Sequence, residues 1–435
     1  MFKLAWGIVG TGAIAKRFAR GLAASETGDL FAVASRGRET AEAFGEQFGV
    51  PRRYFDYESL LADPDVDAVY ISTPHPVHAE WTVKAAEAGK HVLCEKPITL
   101  NWSTAMAVVE AARRNDVFLM EAYMYRCHPQ IAEMVRMIRE GAIGEVRMIQ
   151  AIFSFDAGFN PFGRLHNNDL GGGGILDVGG YTTSFARLVA GTALGLPFAD
   201  PIEVQAAGHL NEQGTDAYTA ALLTFSGGII AQVATGVSLS QESSARVYGT
   251  DGSLLLPTPW IPGETTRMIV SRRGGEAETI EIRANDLYAI EADTVAKYIA
   301  DRQAPSPAMS WDDTLGNMLT LDRWRRAIGL TYNAEKPESF IPTIDRRPLA
   351  VRPGANMTYA EITGVGKPIS RLIIGGMLEG AGSAFKQVHA AVMFDEYFAC
   401  GGNTIDTAHI YGSDATIGKW IADRGIRDEI AILAK

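Results

Sequence analysis

The sequence predicts three folded parts: a doubly wound α/β domain, an α+β domain with a mostly antiparallel, open-faced sheet, and a strand–helix segment that begins a (β/α)8 barrel. Three observations carry this. An apolar run, Leu4 to Val9, leads straight into Gly10-Thr11-Gly12-Ala13-Ile14-Ala15 and a helix. Gly144 to Phe155 and several later stretches alternate as half-covered strands. From Met357 onward, strand and helix patterns alternate at barrel spacing.

At 435 residues the chain exceeds what one core usually holds. Apolar residues make up 47% and charged residues 21%, an ordinary globular composition. The formal net charge of -11, without a basic run carrying interleaved aromatics, argues against nucleic acid or an anionic membrane as partner. Cys94, Cys127 and Cys400 are too scattered for a disulfide framework or a closed zinc site. No HxxxH, CxxC or clustered carboxylates at ligand spacing occur, so no metal is expected. The chain begins directly with a strand and has no run of eighteen apolar residues, which predicts a cytoplasmic protein.

In Gly10 to Ala15 two glycines permit a tight turn, and the small residue at 15 lets the helix sit close to the strand. The helix N-terminus then faces a dinucleotide pyrophosphate, with Thr11, Ala13 and Ile14 around it. This is the Rossmann arrangement. Leu30 to Ala34 is the second strand and ends in Ser35-Arg36. An NAD site normally places a carboxylate there; serine and arginine can instead donate to a 2′-phosphate, so NADP is expected, with NAD possible. A helix over Thr40 to Phe48 and a short strand near Tyr54 follow. Asp67 to Thr73 is a buried strand ending at Pro74, and His78 to Gly89 is a helix stopped by glycine. The strand His91 to Cys94 then delivers Glu95-Lys96-Pro97 at its carboxyl end, where open parallel sheets bind ligands. An ammonium there can assist proton removal from a hydroxyl and stabilise the developing oxyanion.

Together the Gly10 to Ala15 turn, the His78 helix, Glu95-Lys96-Pro97 and a glycine-rich stretch beginning at Gly171 resemble the glucose–fructose oxidoreductase, inositol dehydrogenase and MocA family, over residues 1 to about 330. The segment Glu121-Ala-Tyr-Met-Tyr-Arg126-Cys-His-Pro129 is most similar to the branch of NADP-linked sugar and dihydrodiol dehydrogenases. The resemblance implies a cis bond at Lys96-Pro97 and cofactor contacts from Thr73, Pro74, His78, Glu95 and Lys96.

A helix at Pro129 to Glu140 and the strand Gly144 to Phe155 open the second domain, with further strands at Glu203 to Ala207, Tyr218 to Phe225, Gly228 to Val233 and Ala245 to Tyr248. Related proteins commonly pair subunits through the open face of such a sheet, so a homo-oligomer is expected. The chemically loaded segment is Gly171-Gly-Gly-Gly-Ile-Leu-Asp177-Val-Gly-Gly-Tyr181. Four glycines imply a close backbone approach, and a four-residue spacing on the following helix puts Asp177 and Tyr181 on one face. The resemblance makes Asp177, Tyr181 and Lys96 catalytic. Lys96 and Tyr181 then handle the hydroxyl proton while Asp177 orients the alcohol. Arg126, His128, Asp156, Arg164 and His166 are candidate substrate contacts.

Asp286 to Asp301 and Trp311 to Leu330 read as helices. The expected divisions are a nucleotide domain over 1–125, a substrate and oligomerisation domain over 126–332, a Pro-rich linker over 333–356, and the barrel segment over 357–435. Short strands are expected at Met357 to Ile362 and Ser370 to Ile374, then a helix at Phe385 to Ala399, a strand at Thr404 to Asp406, a helix at Ala415 to Asp423 and a strand at Glu429 to Leu433. Asp406, Tyr411 and Lys435 resemble three of the four catalytic residues of aldo-keto reductases, and the sequence reaches Lys435 before the barrel could close. The function expected is NADP-dependent hydride transfer to or from a secondary alcohol or carbonyl of a sugar, cyclic polyol or diol. Rival readings are a retained-cofactor sugar oxidoreductase, an NAD-dependent glycosidase of the same fold, and a non-catalytic dinucleotide-binding scaffold.

Overall fold

A computed structural model describes residues 3–336, 339, 349–377 and 384–435. Residues 337–338 and 340–348 of the Pro-rich linker lie outside the described residues. The chain forms two compact units, Met1–Tyr332 and Asn333–Lys435.

The first unit begins with strand–helix alternation: β1 (Leu4–Val9), α1 (Ala13–Leu22), β2 (Gly28–Ala34), α2 (Arg38–Phe48), β3 (Arg52–Tyr54), α3 (Tyr57–Leu61), β4 (Ala68–Ile71), α4 (His78–Glu87), β5 (His91–Cys94), α5 (Trp102–Arg114) and β6 (Leu119–Glu121). These strands form one parallel sheet in the order β3-β2-β1-β4-β5-β6, with Ile8 opposite Val33 and Val9 opposite Ile71. Apolar runs suit its centre because helices cover both faces. Ile8, Val69 and Leu93 are wholly buried, and Phe18 of α1 stacks on Tyr70 of β4 with ring centroids 3.9 Å apart. The strand order reverses beside β1, so a crevice opens at the carboxyl edge between β1 and β4, where β1 releases its glycine turn.

The second half of this unit holds α6 (Pro129–Arg139), β7 (Val146–Ser154), α7 (Gly180–Ala193), β8 (Glu203–Leu210), β9 (Asp216–Thr224), β10 (Ile230–Gly236), β11 (Ser244–Gly249), β12 (Gly252–Leu256), β13 (Thr265–Arg272), β14 (Glu278–Arg283), α8 (Leu287–Tyr298) and α9 (Trp311–Ala327). Its eight strands run β14-β13-β12-β11-β7-β10-β9-β8; β10 pairs parallel with β7 and every other pair is antiparallel. Alternation decides its faces. In β9, residues Ala217, Ala221 and Leu223 are buried, whereas Tyr218 and Leu222 are exposed on the open face. Helix α7 is buried from Gly180 to Thr192, so it forms the spine between the sheet and α9. Among the described residues no helix is long and apolar enough to cross a membrane.

The second unit contains a two-stranded hairpin, β15 (Tyr359–Ala360) with β16 (Ile369–Ser370), and a parallel sheet of β17 (Ile374–Gly375), β18 (Thr404–Thr407) and β19 (Ala431–Ala434). Helices α10 (Ala384–Ala399) and α11 (Asp414–Arg424) connect them. Phe394, Phe398, Ile405, Trp420 and Ile430 make a local core. Asp395 anchors it by accepting from Trp420 Nε1 at 2.8 Å and pairing with Arg424 at 2.8 Å. Parallel strands joined by helices are the start of a barrel wall.

Candidate active site

The glycine turn is built for close approach. Gly10 has φ +103°, a left-handed value that favours glycine, and a Cβ there would press on Ser72 Oγ and O at 3.0 and 3.2 Å. Gly12 caps α1 in extended geometry, and a Cβ on it would meet nothing within 4 Å. The space in front of the helix N-terminus is therefore open, as a pyrophosphate requires. At the end of β2, Ser35 Oγ is bonded to Thr40 Oγ1 at 2.6 Å and accepts from Thr11 Oγ1 at 3.4 Å. Arg36 is exposed beside Tyr57. No carboxylate among the described residues lines this end of the cleft. Serine and arginine at that place fit a phosphorylated ribose.

One cleft of about 610 Å³ gathers Gly10, Thr11, Gly12, Ala13, Ile14, Ser35, Arg36, Thr73, Pro74, His78, Glu95 and Lys96, all twelve positions expected to meet the cofactor. Asp177 and Arg164 close its other side. Tyr57, Ser72, His75 and Leu170 also line it and carried no signal in the sequence.

Lys96 occupies the centre. The Lys96-Pro97 bond is cis, as the resemblance implied. The Lys96 ammonium donates to the Asp177 carbonyl oxygen at 2.6 Å and stands 3.5 Å from Asp177 Oδ1. Arg164 Nη1 donates to the same Oδ1 at 2.8 Å. Burial pushes the Asp177 carboxyl up, but the Lys96 ammonium and the Arg164 guanidinium outweigh it and hold the group well below the usual carboxylate range. Asp177 is thus ionised and fixes two cations at the cleft wall. His78 turns inward: its ring nitrogens face the carbonyls of Pro97 at 2.8 Å and Thr73 at 2.6 Å, tying the exit of β4 to the lysine loop. His75 Nδ1 faces the Gly171 carbonyl at 3.2 Å, and burial brings that histidine down to about 3.

Several expectations are corrected by the side-chain directions. Asp177 sits in a π-helical turn, Ile175–Gly179, ahead of α7, and it still faces Lys96 together with Tyr181; what differs is which part of the tyrosine is presented. Tyr181 presents its ring to Lys96, with Nζ 5.3 Å from the centroid, while its hydroxyl donates to Met124 Sδ at 3.3 Å. Burial pushes that phenol well above the usual tyrosine range. The proton-carrying role expected of Tyr181 needs its hydroxyl at the cleft, and here it is turned away. Arg126 is a core residue, pairing with Asp313 at 2.6 Å with both side chains fully buried. His128 caps α6, its Nδ1 accepting the Gln130 N–H at 3.1 Å. Asp156 is exposed and accepts from Gly158 N at 2.9 Å, and His166 packs against Phe159 with Nε2 3.2 Å from Ser238 Oγ. Of the five substrate candidates, Arg164 reaches the cleft. Among the described residues no group of three or more metal-ligating side chains occurs.

In the second unit, Lys435 Nζ lies 3.0 Å from Asp406 Oδ2 and donates to the Tyr411 hydroxyl at 3.4 Å, so the three expected residues do converge.

Known proteins resemble the chain over three stretches. Residues 4–123 match the model of the oxidoreductase family with an NAD-binding Rossmann fold, residues 131–255 match the GFO/IDH/MocA C-terminal domain, and residues 371–435 match the aldo/keto reductase family. The chain is 31% identical over 341 residues to trans-1,2-dihydrobenzene-1,2-diol dehydrogenase of Mus musculus, covering 77% of this chain and 99% of that one. It is 31% identical over 319 residues to D-xylose 1-dehydrogenase (NADP(+)) 2 of Haloferax volcanii, covering 73% and 95%. Among solved structures it is similar to KijD10, a 3-ketoreductase from Actinomadura kijaniata in complex with NADP and TDP-benzene, at 28% identity and a TM-score of 0.67, covering 75% of this chain and 98% of that chain. The chain therefore belongs to the GFO/IDH/MocA oxidoreductases, NAD(P)-dependent enzymes of CH–OH chemistry, and carries in addition part of an aldo/keto reductase.

Proposed function

We propose that residues 1–332 catalyse reversible, NADP-linked oxidation of a secondary alcohol in a sugar, cyclic polyol or diol. The observation that carries this reading is the Lys96 ammonium, held 2.6 Å from the Asp177 carbonyl and 3.5 Å from its carboxylate in the cleft that also takes in the glycine turn. The bound nicotinamide supplies the hydride acceptor or donor. This chain supplies the rest. Lys96 donates a hydrogen bond to the reacting oxygen, moves its proton, and steadies the negative charge that develops on it. Asp177 holds Lys96 and Arg164 at fixed distance, and Arg164 keeps further N–H donors for a neighbouring substrate oxygen. Tyr181 supports the ammonium through its ring face. Ser35 and Arg36 select the phosphorylated ribose, and the names of the diol dehydrogenase, the NADP-linked xylose dehydrogenase and the ketoreductase support both cofactor and substrate class. The open face of the eight-stranded sheet, with Tyr218, Leu222 and Ile230 exposed, pairs two subunits in this reading, in a cytoplasmic setting.

The test is titration of the protein with NADPH and NADH, followed by a panel of aldoses, inositols and cyclic diols watched at the nicotinamide absorbance. NADPH binding with turnover that Lys96→Ala abolishes is the expected result. Turnover unaffected by Lys96→Ala would remove the proposed mechanism.

A further inference from the structure

Two buried carboxyls that lie outside the proposed chemistry hold the backbone on either side of the Lys96–Asp177 contact. Glu121 ends β6, and its Oε1 accepts the Ile98 N–H at 2.9 Å, two residues beyond Lys96. Asp216 opens β9, and its Oδ2 accepts the Ile175 N–H at 2.8 Å, at the first residue of the π-helical turn that carries Asp177. The two come from different sheets and share a device. Glu121 is 1% exposed and Asp216 0%. Among the described residues Glu121 Oε2 and Asp216 Oδ1 meet no donor in good hydrogen-bond geometry, although the Thr314 hydroxyl near the first and the Gly174 N–H near the second favour the ionised forms. A half-paired buried carboxyl is expensive, and packing alone would be served better by an amide or an apolar side chain. Asp216 also fills the space beside Gly173, whose φ is +107° and whose Cβ would overlap Oδ1.

We propose that Glu121 and Asp216 are positioning residues whose ionised forms fix the loops carrying Lys96 and Asp177, so that the catalytic pair is fully assembled only when both carboxyls have lost their protons. An ionised acceptor grips an N–H more strongly than a protonated one, which keeps only a weaker carbonyl contact. Around Glu121 stand Cys94 and Lys96 at the end of β5, Tyr123, and Asp313 and Thr314 of α9. Asp216 faces Arg325 of α9 and the N–H groups of Gly174 and Ile175. Burial is the largest influence on both and raises each to about 7, which places the transition within the working range of a cytoplasmic enzyme. This inference rests on the proposed roles of Lys96 and Asp177.

The experiment is kcat against pH for wild type, Glu121→Gln and Asp216→Asn, with NADPH affinity and Tm measured alongside. Glutamine and asparagine keep an oxygen acceptor and remove the ionisation. The wild type should lose kcat below neutrality more steeply than one proton allows, because activity requires both carboxyls to be ionised. Each variant should lose one proton from that limb and run about tenfold slower at pH 8, the scale of losing a charge-assisted hydrogen bond. NADPH affinity should move less than about threefold, since neither residue lines the cofactor cleft. An acid limb identical in all three proteins overturns the proposal, whatever happens to Tm. Should a variant not fold, infrared difference spectra of the wild type between pH 6 and pH 8 decide. Loss of protonated-carboxyl C=O bands with midpoints near 7 supports the proposal, and a flat spectrum overturns it. Absence of hydride transfer with every panel substrate would instead count against the oxidoreductase roles of Lys96 and Asp177, and the infrared result would still judge the two carboxyls.

Discussion

Replacing Asp177 by asparagine preserves its shape and removes its charge, which makes it the sharpest probe of the site. Burial alone would raise the carboxyl, yet Lys96 and Arg164 hold it far below the ordinary value. A folded-state pKa below the unfolded one means that ionisation stabilises the fold. That contribution is complete above the unfolded value, about pH 4, and is lost as the pH falls toward the depressed folded value. The Lys96 and Asp177 side chains are 14% and 5% exposed, so their contact is poorly screened. Arg164 is 55% exposed, and its contact must be discounted for solvent. Removing one partner of a buried pair costs about 3–5 kcal/mol; the half-exposed arginine lowers the expectation to roughly 2–3 kcal/mol. Urea unfolding of Asp177→Asn and wild type, followed by tryptophan fluorescence at pH 8, 5 and 3, measures it. The gap should be widest at pH 8, nearly unchanged at pH 5, and visibly smaller at pH 3. At pH 8, kcat should fall by about 10²–10³, because the ammonium loses its orienting partner. A gap below about 0.5 kcal/mol at pH 8, the ordinary scale of a surface change, would refute the electrostatic account, as would a gap independent of pH.

Lys96→Met should lower kcat by about 10²–10⁴ while NADPH fluorescence titration still shows binding, since the methionine stem fills the same space without a proton. Arg36→Glu should weaken NADPH binding by at least about tenfold and leave NADH nearly unaffected, reversing the preference; an unchanged ratio would show that Arg36 does not read the phosphate. Arg126→Met should cost about 3 kcal/mol in urea unfolding and leave the substrate KM alone, because Arg126 and Arg187 share the buried Asp313 and neither touches the cleft.

The nucleotide fold was legible because its information is local. Each central strand is a short apolar run buried on both faces. The glycine turn, Ser35-Arg36 and Glu95-Lys96-Pro97 all fall at strand ends, which a parallel sheet brings to one edge. All twelve expected cofactor positions accordingly line one cleft. Side-chain direction is not local. Arg126 looked like a cleft cation, but its partner Asp313 lies 187 residues further along the chain. His128 and His166 were candidates by residue type, and only packing shows one capping α6 and the other lying against Phe159. The Asp177–Tyr181 spacing put both residues against Lys96, but only packing shows that the tyrosine meets it with the ring face and not the hydroxyl. Glu121 entered only as the start of the Glu121–Pro129 segment and Asp216 not at all, because a carboxylate's role here comes from the N–H it meets across the fold.

The same three residue types meet twice in the chain. Each unit brings together a lysine, an aspartate and a tyrosine: Lys96, Asp177 and Tyr181 in the first, Lys435, Asp406 and Tyr411 in the second. The distances are comparable, with lysine to carboxylate at 3.5 Å in one and 3.0 Å in the other. The surroundings are not. The Lys435 side chain is 55% exposed, and hydrogen bonding to Asp406 and then to Tyr411 holds its pKa above the usual lysine value. An exposed pair of this kind contributes little, and mobile ions and water screen its field within about 8 Å at physiological salt. Lys96 is 14% exposed between a buried carboxylate and a buried aromatic ring, where little water remains to screen its charge. The Lys96 ammonium can therefore stabilise a developing oxyanion strongly. Residue type and spacing select Lys96 as a candidate; the exclusion of water around it makes its charge effective.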